Sequence, residues 1–246
     1  MYVAQHFEIP DDYLTELLGR VRAGNLVTVH ESGPQATLVP FHMETHETGQ
    51  VLVTHLMRNN PQAVEPVTGP ALAIIDIDDA YVSPAWYATN KDLPNVPTWD
   101  YITIHVTGEV RFTADPGAAL EAARELTSRM EPPEILEAVG EKKLRAMARA
   151  IVRAEIAVEK IQGKAKASQN RHPDDVSSLL AHLERKGETE LVRYLREVAL
   201  PHATERFGMV HELRAGRRLS TSAAGKKAPR ADETSPLTSA EPSRNP

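Results

Sequence analysis

Apolar and polar positions follow a helical period at the start of the chain and a strand period soon after. Tyr13, Leu14, Leu17, Leu18 and Val21 share one face of a helix that Asp11-Asp12 would start, which predicts a helix ending near Gly24. From Leu26 the period drops to two. Residues 26–30 and 36–41 predict a hairpin around Ser32-Gly33-Pro34, residues 50–55 a third strand, and residues 71–77, apolar almost throughout, a strand buried on both faces. In residues 101–112, Ile102, Ile104 and Val106 alternate with Thr103, His105 and Thr107. Residues 154–161, where Ile156 and Val158 alternate with Glu155 and Glu159, supply the expected partner.

Between those two strands the period returns to that of a helix. Asp115-Pro116 opens one in the cap-then-proline manner and it runs to Met130. Pro132-Pro133 breaks it, and a second helical stretch reaches about Ala150. After Ser168-Gln169-Asn170, two more helices are predicted over 174–185 and 188–197. Strands dominate the first half and helices the second. The expected class is therefore α+β or mainly β, a barrel decorated by helices with a helical C-terminal part. One domain over 1–213 is expected, followed by a disordered tail, 214–246, rich in Ser, Pro and Ala.

Composition narrows the chemistry. The chain has no cysteine, which excludes disulfides, thiolate catalysis, iron–sulfur clusters and Cys-type zinc sites, so redox chemistry needs a cofactor. The start of the chain lacks a basic region followed by an apolar stretch, and no apolar run is long enough to cross a bilayer; a cytoplasmic, non-membrane protein is expected. The net charge of -6 is divided unevenly. Residues 214–246 carry seven Lys/Arg against three Asp/Glu, leaving -10 on the remainder. A body this acidic repels phosphodiester backbones, so direct DNA binding by the folded part is disfavoured. No nucleophilic triad and no Gly-rich phosphate loop is present.

Several residues have both a chemical and a plain reading. His42 and His46 would share a face of a helix and hold a metal, but in a hairpin loop containing Gly49 they read as solvated. Asp76 and Asp78 alternate and could hold a cation, or mark a solvated edge turn. Lys164 and Lys166 alternate on one strand face, which suits a phosphate and equally an exposed surface.

Five segments together resemble the PaiB family of FMN-binding negative transcriptional regulators, within the split-barrel flavin-binding superfamily. They are Met1-Tyr2-Val3 with His6-Phe7; Ala36-Thr37 with Pro40-Phe41; His55 and Arg58 followed by Asn60-Pro61-Gln62; Ala80-Tyr81-Val82-Ser83-Pro84-Ala85-Trp86-Tyr87 with Val96-Pro97-Thr98-Trp99-Asp100-Tyr101; and residues 163–171, which contain Lys166, Ser168 and Gln169. The resemblance covers residues 1 to about 200. It implies a six-stranded split barrel that forms a homodimer and holds FMN at the subunit interface.

On that reading Thr37, His55, Arg58, Asn59 and Asn60 form one part of the cofactor site and Trp99, Lys166, Ser168 and Gln169 another. The turn after His55 is the kind of place where a guanidinium and backbone N–H groups meet a phosphate, while Trp86 or Trp99 would stack near the ring or wall the site. His55 reads as a flavin-edge donor, a haem ligand or a barrel histidine. The chain departs from the family pattern at Leu38, where His is usual, at Ala63, Asp100 and Ala167, and in the acidic stretch Asp76-Ile77-Asp78-Asp79. Relatives of the family that use haem, piperazate synthase among them, make haem b the alternative cofactor, with His55 or His105 as iron ligand. The functions implied are a flavin-binding regulator or redox sensor, a haem-dependent N–N bond-forming enzyme, or an FMN oxidoreductase.

Overall fold

The computed structural model describes residues 1–187 and 189–214. Six antiparallel strands, β1 (Arg22–His30), β2 (Gly33–His46), β3 (Gly49–Met57), β4 (Ala71–Val82), β5 (Thr98–Thr113) and β6 (Ile151–Lys166), close in the order β1-β2-β3-β6-β5-β4. The expected barrel is therefore present. Its closure is uneven: β5 and β6 pair along nearly their whole length, whereas β1 and β4 share three registered pairs, Asn25 with Ile74, Leu26 with Ala73 and Val27 with Leu72.

The alternation in the strands decides what fills the ring. Leu26, Phe41, Leu52, Ile102, Ile104 and Ile156 are fully buried in one cluster, each contributing roughly 1.5–3 kcal/mol by leaving water. Leu17 of α1 (Asp11–Leu18) packs into the same cluster. A residual cavity of about 10 Å³ between Leu17, Phe41, Leu52 and Ile104 holds at most one water. No flat ligand fits inside the barrel.

Helices cover the outside. Asn60 caps the short α2 (Pro61–Val64) and Asp115 caps α3 (Pro116–Ser128), in each case ahead of a proline whose missing N–H costs nothing at that position. The β5–β6 connection continues through α4 (Glu134–Val139) and α5 (Glu141–Ala148), divided by Gly140 at a positive φ of 79°. α6 (Pro173–Glu184) and α7 (Glu190–Tyr194) bury Val176, Leu179, Leu191 and Tyr194 in the core cluster; a π-helical turn, Leu195–Ala199, leads into α8 (Leu200–Arg214). The compact unit runs from Met1 to Gly208. Apart from Arg214, the tail expected over 214–246 lies outside the described residues.

Four local expectations are corrected. The first helix stops at Leu18, and the segment carrying Gly24 belongs to β1, where it approaches the Ile74 carbonyl of β4 too closely for a side chain. Residues 42–46 are strand and not a hairpin loop, because β2 continues to His46. Asp76 and Asp78 lie within β4 at a bulge rather than in an edge turn. The C-terminal helical region runs past Glu197 to Arg214.

Gly108 stands at the bulge between β5 and β6, where a Cβ would come within 1.8 Å of the Ala157 carbonyl oxygen. Gly108→Ala should destabilise the fold by about 3 kcal/mol or more, read as a lowered urea midpoint. Gly69, with open space around it, is the control, and Gly69→Ala should shift stability by no more than about 0.5 kcal/mol.

Candidate functional site

With the interior closed, ligand chemistry is confined to the outer surface and the barrel ends. β3 leaves the sheet at Met57, and the turn that follows is built by its own polar side chains. The Arg58 guanidinium donates from Nε to the Arg149 carbonyl at 2.7 Å and from Nη2 to the carbonyls of Ala114 at 2.7 Å and Ile151 at 3.3 Å. These bonds tie the end of β3 to the start of β6 and leave Nη1 for another acceptor. Asn59 is exposed beside it. Asn60 accepts from the Gln62 N–H at 3.0 Å as the α2 cap and donates Nδ2 to Thr37 Oγ1 at 3.0 Å.

Gln62, which follows Asn60-Pro61 in one of the motifs, organises this end of the barrel. Its side chain is 1% exposed. Nε2 donates to the Leu26 carbonyl at 3.0 Å and Thr28 Oγ1 at 2.8 Å, and Oε1 accepts from Thr37 Oγ1. Thr28 meets His30 at 2.7 Å, extending the network to the Pro66 carbonyl. The asparagine cap three residues after a strand was the available signal, since it aims the following side chain back at the sheet.

The second group lies where β6 ends. Lys166 Nζ donates to Thr98 Oγ1 at 2.6 Å, the Trp99 carbonyl at 2.5 Å and Asp100 Oδ1 at 3.3 Å. Ser168, held at a left-handed φ of 55° that non-glycine residues rarely adopt, donates to Asp100 Oδ2 at 2.6 Å and meets Tyr87 OH at 3.2 Å. Gln169 is 2% exposed and its amide is taken by the His6 and Ala165 carbonyls and the Ala167 N–H. Burial pushes the Asp100 carboxyl above its ordinary range, while Ser168 and Lys166 pull the other way. Trp99 is 52% exposed, its indole N–H bonded to Asp79 Oδ1 at 2.7 Å and its ring edge-on to Tyr81. Trp86 stacks instead on His182 at 4.0 Å.

Each carboxylate of the acidic stretch accepts a hydrogen bond. Asp76 accepts from Thr103 Oγ1, Asp78 from the Leu191 N–H at the start of α7, and Asp79 from Trp99.

His55 points to the outer face of β3, in register with Arg153. Burial lowers its pKa, and its Nδ1 is buried with no hydrogen-bond partner, so an iron would have to be taken through the other ring nitrogen. His42 lies on the same face with its side chain fully buried and Nε2 2.8 Å from Glu44; burial lowers its pKa despite that carboxylate. Burial works to raise the Glu44 pKa, but bonds from His42 and from Arg153 at 3.0 Å outweigh it and hold the carboxyl below its usual range. His105 faces out from β5 with its pKa lowered by burial and by the N-terminal ammonium. Among the described residues no group of three or more His, Cys, Asp or Glu is arranged to hold a metal ion.

Within one chain the two groups stay apart. Arg58 sits at the first residue of β6 and Lys166 is its last, about 50 Å of strand contour at ~3.3 Å per residue. Thr37, Asn60 and Gln62 are in direct contact in one group, and Trp99, Asp100, Lys166 and Ser168 in the other.

The raised Asp100 pKa has a definite pH consequence. The folded state binds this proton more tightly than the unfolded chain, so the contribution of Asp100 to stability falls as pH rises above about 3.9. The advantage of Asp100→Asn over the unsubstituted protein in urea unfolding should therefore grow from pH 4 to pH 7; a difference independent of pH would contradict the assignment.

The comparisons with known proteins agree with the resemblance in the motifs. The model of the family described as "Putative FMN-binding domain" matches residues 1–160. The protease synthase and sporulation protein PAI 2 of Bacillus subtilis is 27% identical over 199 residues, which is 76% of this chain and 90% of that protein. The uncharacterised protein YKL070W of Saccharomyces cerevisiae is 28% identical over 137 residues, 47% of this chain and 80% of that one. Among solved structures, the flavocytochrome Anf3 of Azotobacter vinelandii aligns with a TM-score of 0.47 at 13% identity, over 63% of this chain and 67% of that one. A model matched over well more than half of the length settles the kinship: the chain belongs to this FMN-binding-domain family and is a homologue of PaiB.

Proposed function

We propose that the protein holds FMN in a site shared by two copies of the chain and acts in the cytoplasm as a flavin-dependent regulator or redox sensor. The observation that carries this reading is the placement of the Arg58 turn and the Trp99–Lys166 wall at opposite ends of β6. A single chain does not present both to one cofactor, whereas a two-fold pairing brings an end of one copy to the other end of its partner. The outer faces of β1, β2 and β4 favour such a pairing. Val29 and Leu38 are 44% and 67% exposed there, beside Val27, Ala36, Leu72 and Ile74. Leu38 stands where the family carries His, and it makes this face more apolar.

In this arrangement Arg58 Nη1, Asn59 and Asn60 of one copy meet the phosphate, with Thr37 fixing Asn60. The Trp99 ring of the other copy walls the isoalloxazine. Lys166, Ser168 and Gln169 act one step back: their polar atoms hold the Trp99 backbone and the strand end in place. The bound flavin supplies reversible electron and hydride transfer through its ring. Regulation through another protein fits the acidic body better than operator reading does. No helix among the described residues is long and apolar enough to cross a membrane.

The absorption spectrum of the purified protein tests the cofactor directly: paired blue and near-ultraviolet bands are expected, and a Soret band would move the reading to haem. Leu38→Asp, at a position exposed in the single chain, should leave thermal unfolding of the chain intact while converting a dimer to a monomer in light scattering and releasing the flavin. A monomeric variant that keeps its flavin would overturn the shared site.

A further inference from the structure

We propose that the groove formed by α3, α4 and α5 is a docking site for a basic amphipathic helix of another protein. The inference stands apart from the flavin site, which uses none of these residues.

The insert is anchored by one face only. Ala119, Ala122 and Leu126 of α3 are buried, and of α5 only Ala148 is. α4 buries none of its six residues, although helices of that length are marginal in water without packing. Between the three helices lies a groove of about 930 Å³ floored by Leu120, Leu136, Leu144 and Pro133. Ile135 and Met147 on α4 and α5, outside the groove's lining, are also exposed, at 48% and 57%. An amphipathic helix laid here would cover the leucines with its apolar stripe and give α4 the packing partner it lacks.

The charges select the kind of helix. Five glutamates and two arginines line the groove. Both arginines, Arg124 and Arg145, are drawn onto Glu141, and Glu125 pairs with Arg129 at 2.8 Å. Glu121, Glu131 and Glu137 have no ion-pair partner among the described residues and face an incoming ligand with uncompensated negative charge. That field repels nucleic acid and acidic peptides and favours Lys or Arg flanking the apolar stripe.

The test uses the full chain and a fluorescein-labelled, end-blocked synthetic peptide of Leu, Ala and Lys, with leucines at helical spacing and lysines on the flanks. Fluorescence anisotropy should show saturable binding, with Kd on the order of 10 μM, weakening as salt rises. A peptide of the same composition, scrambled to destroy the stripe, should bind at least tenfold more weakly. Leu136→Glu should abolish binding with the circular dichroism spectrum unchanged. The double reversal Glu131→Lys, Glu137→Lys, at exposed positions that do not endanger the fold, should weaken the basic peptide at least tenfold and admit a counterpart with glutamates for lysines. The proposal is overturned if the designed peptide does not bind, if the scrambled peptide binds equally, or if neither variant changes affinity. It is equally overturned if Leu136→Glu lowers the oligomeric state, since the groove would then be covered by a second copy.

Discussion

Closure of six antiparallel strands around Leu26, Phe41, Leu52, Ile102, Ile104 and Ile156 is the constraint on which the rest depends. A barrel of this size is filled by its own side chains, and the residual volume beside Leu17 is that of a single water. A planar cofactor is thereby excluded from the centre of the fold. What remains for chemistry is the outer sheet surface, the strand ends and whatever seam a second molecule creates. The short β1–β4 pairing belongs to the same picture: this is the side on which apolar residues of β1, β2 and β4 remain outside the ring.

The polar residues that the motifs single out serve largely to build that surface. Arg58 clamps three carbonyls, Lys166 holds the Trp99 carbonyl and the side chains of Thr98 and Asp100, and Gln169 is engaged by backbone groups. These side chains therefore have a structural task before any ligand is added. Asp100, where the family carries Asn, shows how the departure is accommodated: the buried carboxylate gains Lys166 and Ser168 as donors, which offsets part of the cost of burying a charge. On the proposed reading, direct contact with the cofactor is left to the groups with unused capacity, Arg58 Nη1, Asn59, Asn60 and the exposed face of Trp99.

The ring of strands was legible because long, unbroken alternation fixes both the element and its buried face. Residues 101–112 and 154–161 show that alternation and do pair as β5 and β6, and Asp115-Pro116 marks the start of α3 through a cap that acts within one turn. The misread strand segments depend on distant partners. His42 is strand rather than loop because β2 continues to His46 in register with β3, and its imidazole is buried, neither of which is a local property. Asp76 and Asp78 look like turn residues until Thr103 and the Leu191 N–H satisfy them. In the candidate site the residue types were visible but not their grouping: Lys166 meets Asp100 across 66 residues of sequence, and no pattern in the chain shows that Arg58 and Lys166 occupy opposite ends of one strand.

The central claim, that two copies of the chain complete each cofactor site, is tested most directly by mixing two defective variants. Arg58→Ala and Trp99→Ala should each bind little FMN alone. After unfolding together and refolding, random pairing should restore about a quarter of the normal flavin, because each mixed dimer contains one site free of both substitutions. A mixture that binds no more flavin than its separate components would place both residues in the same copy's site and contradict the account.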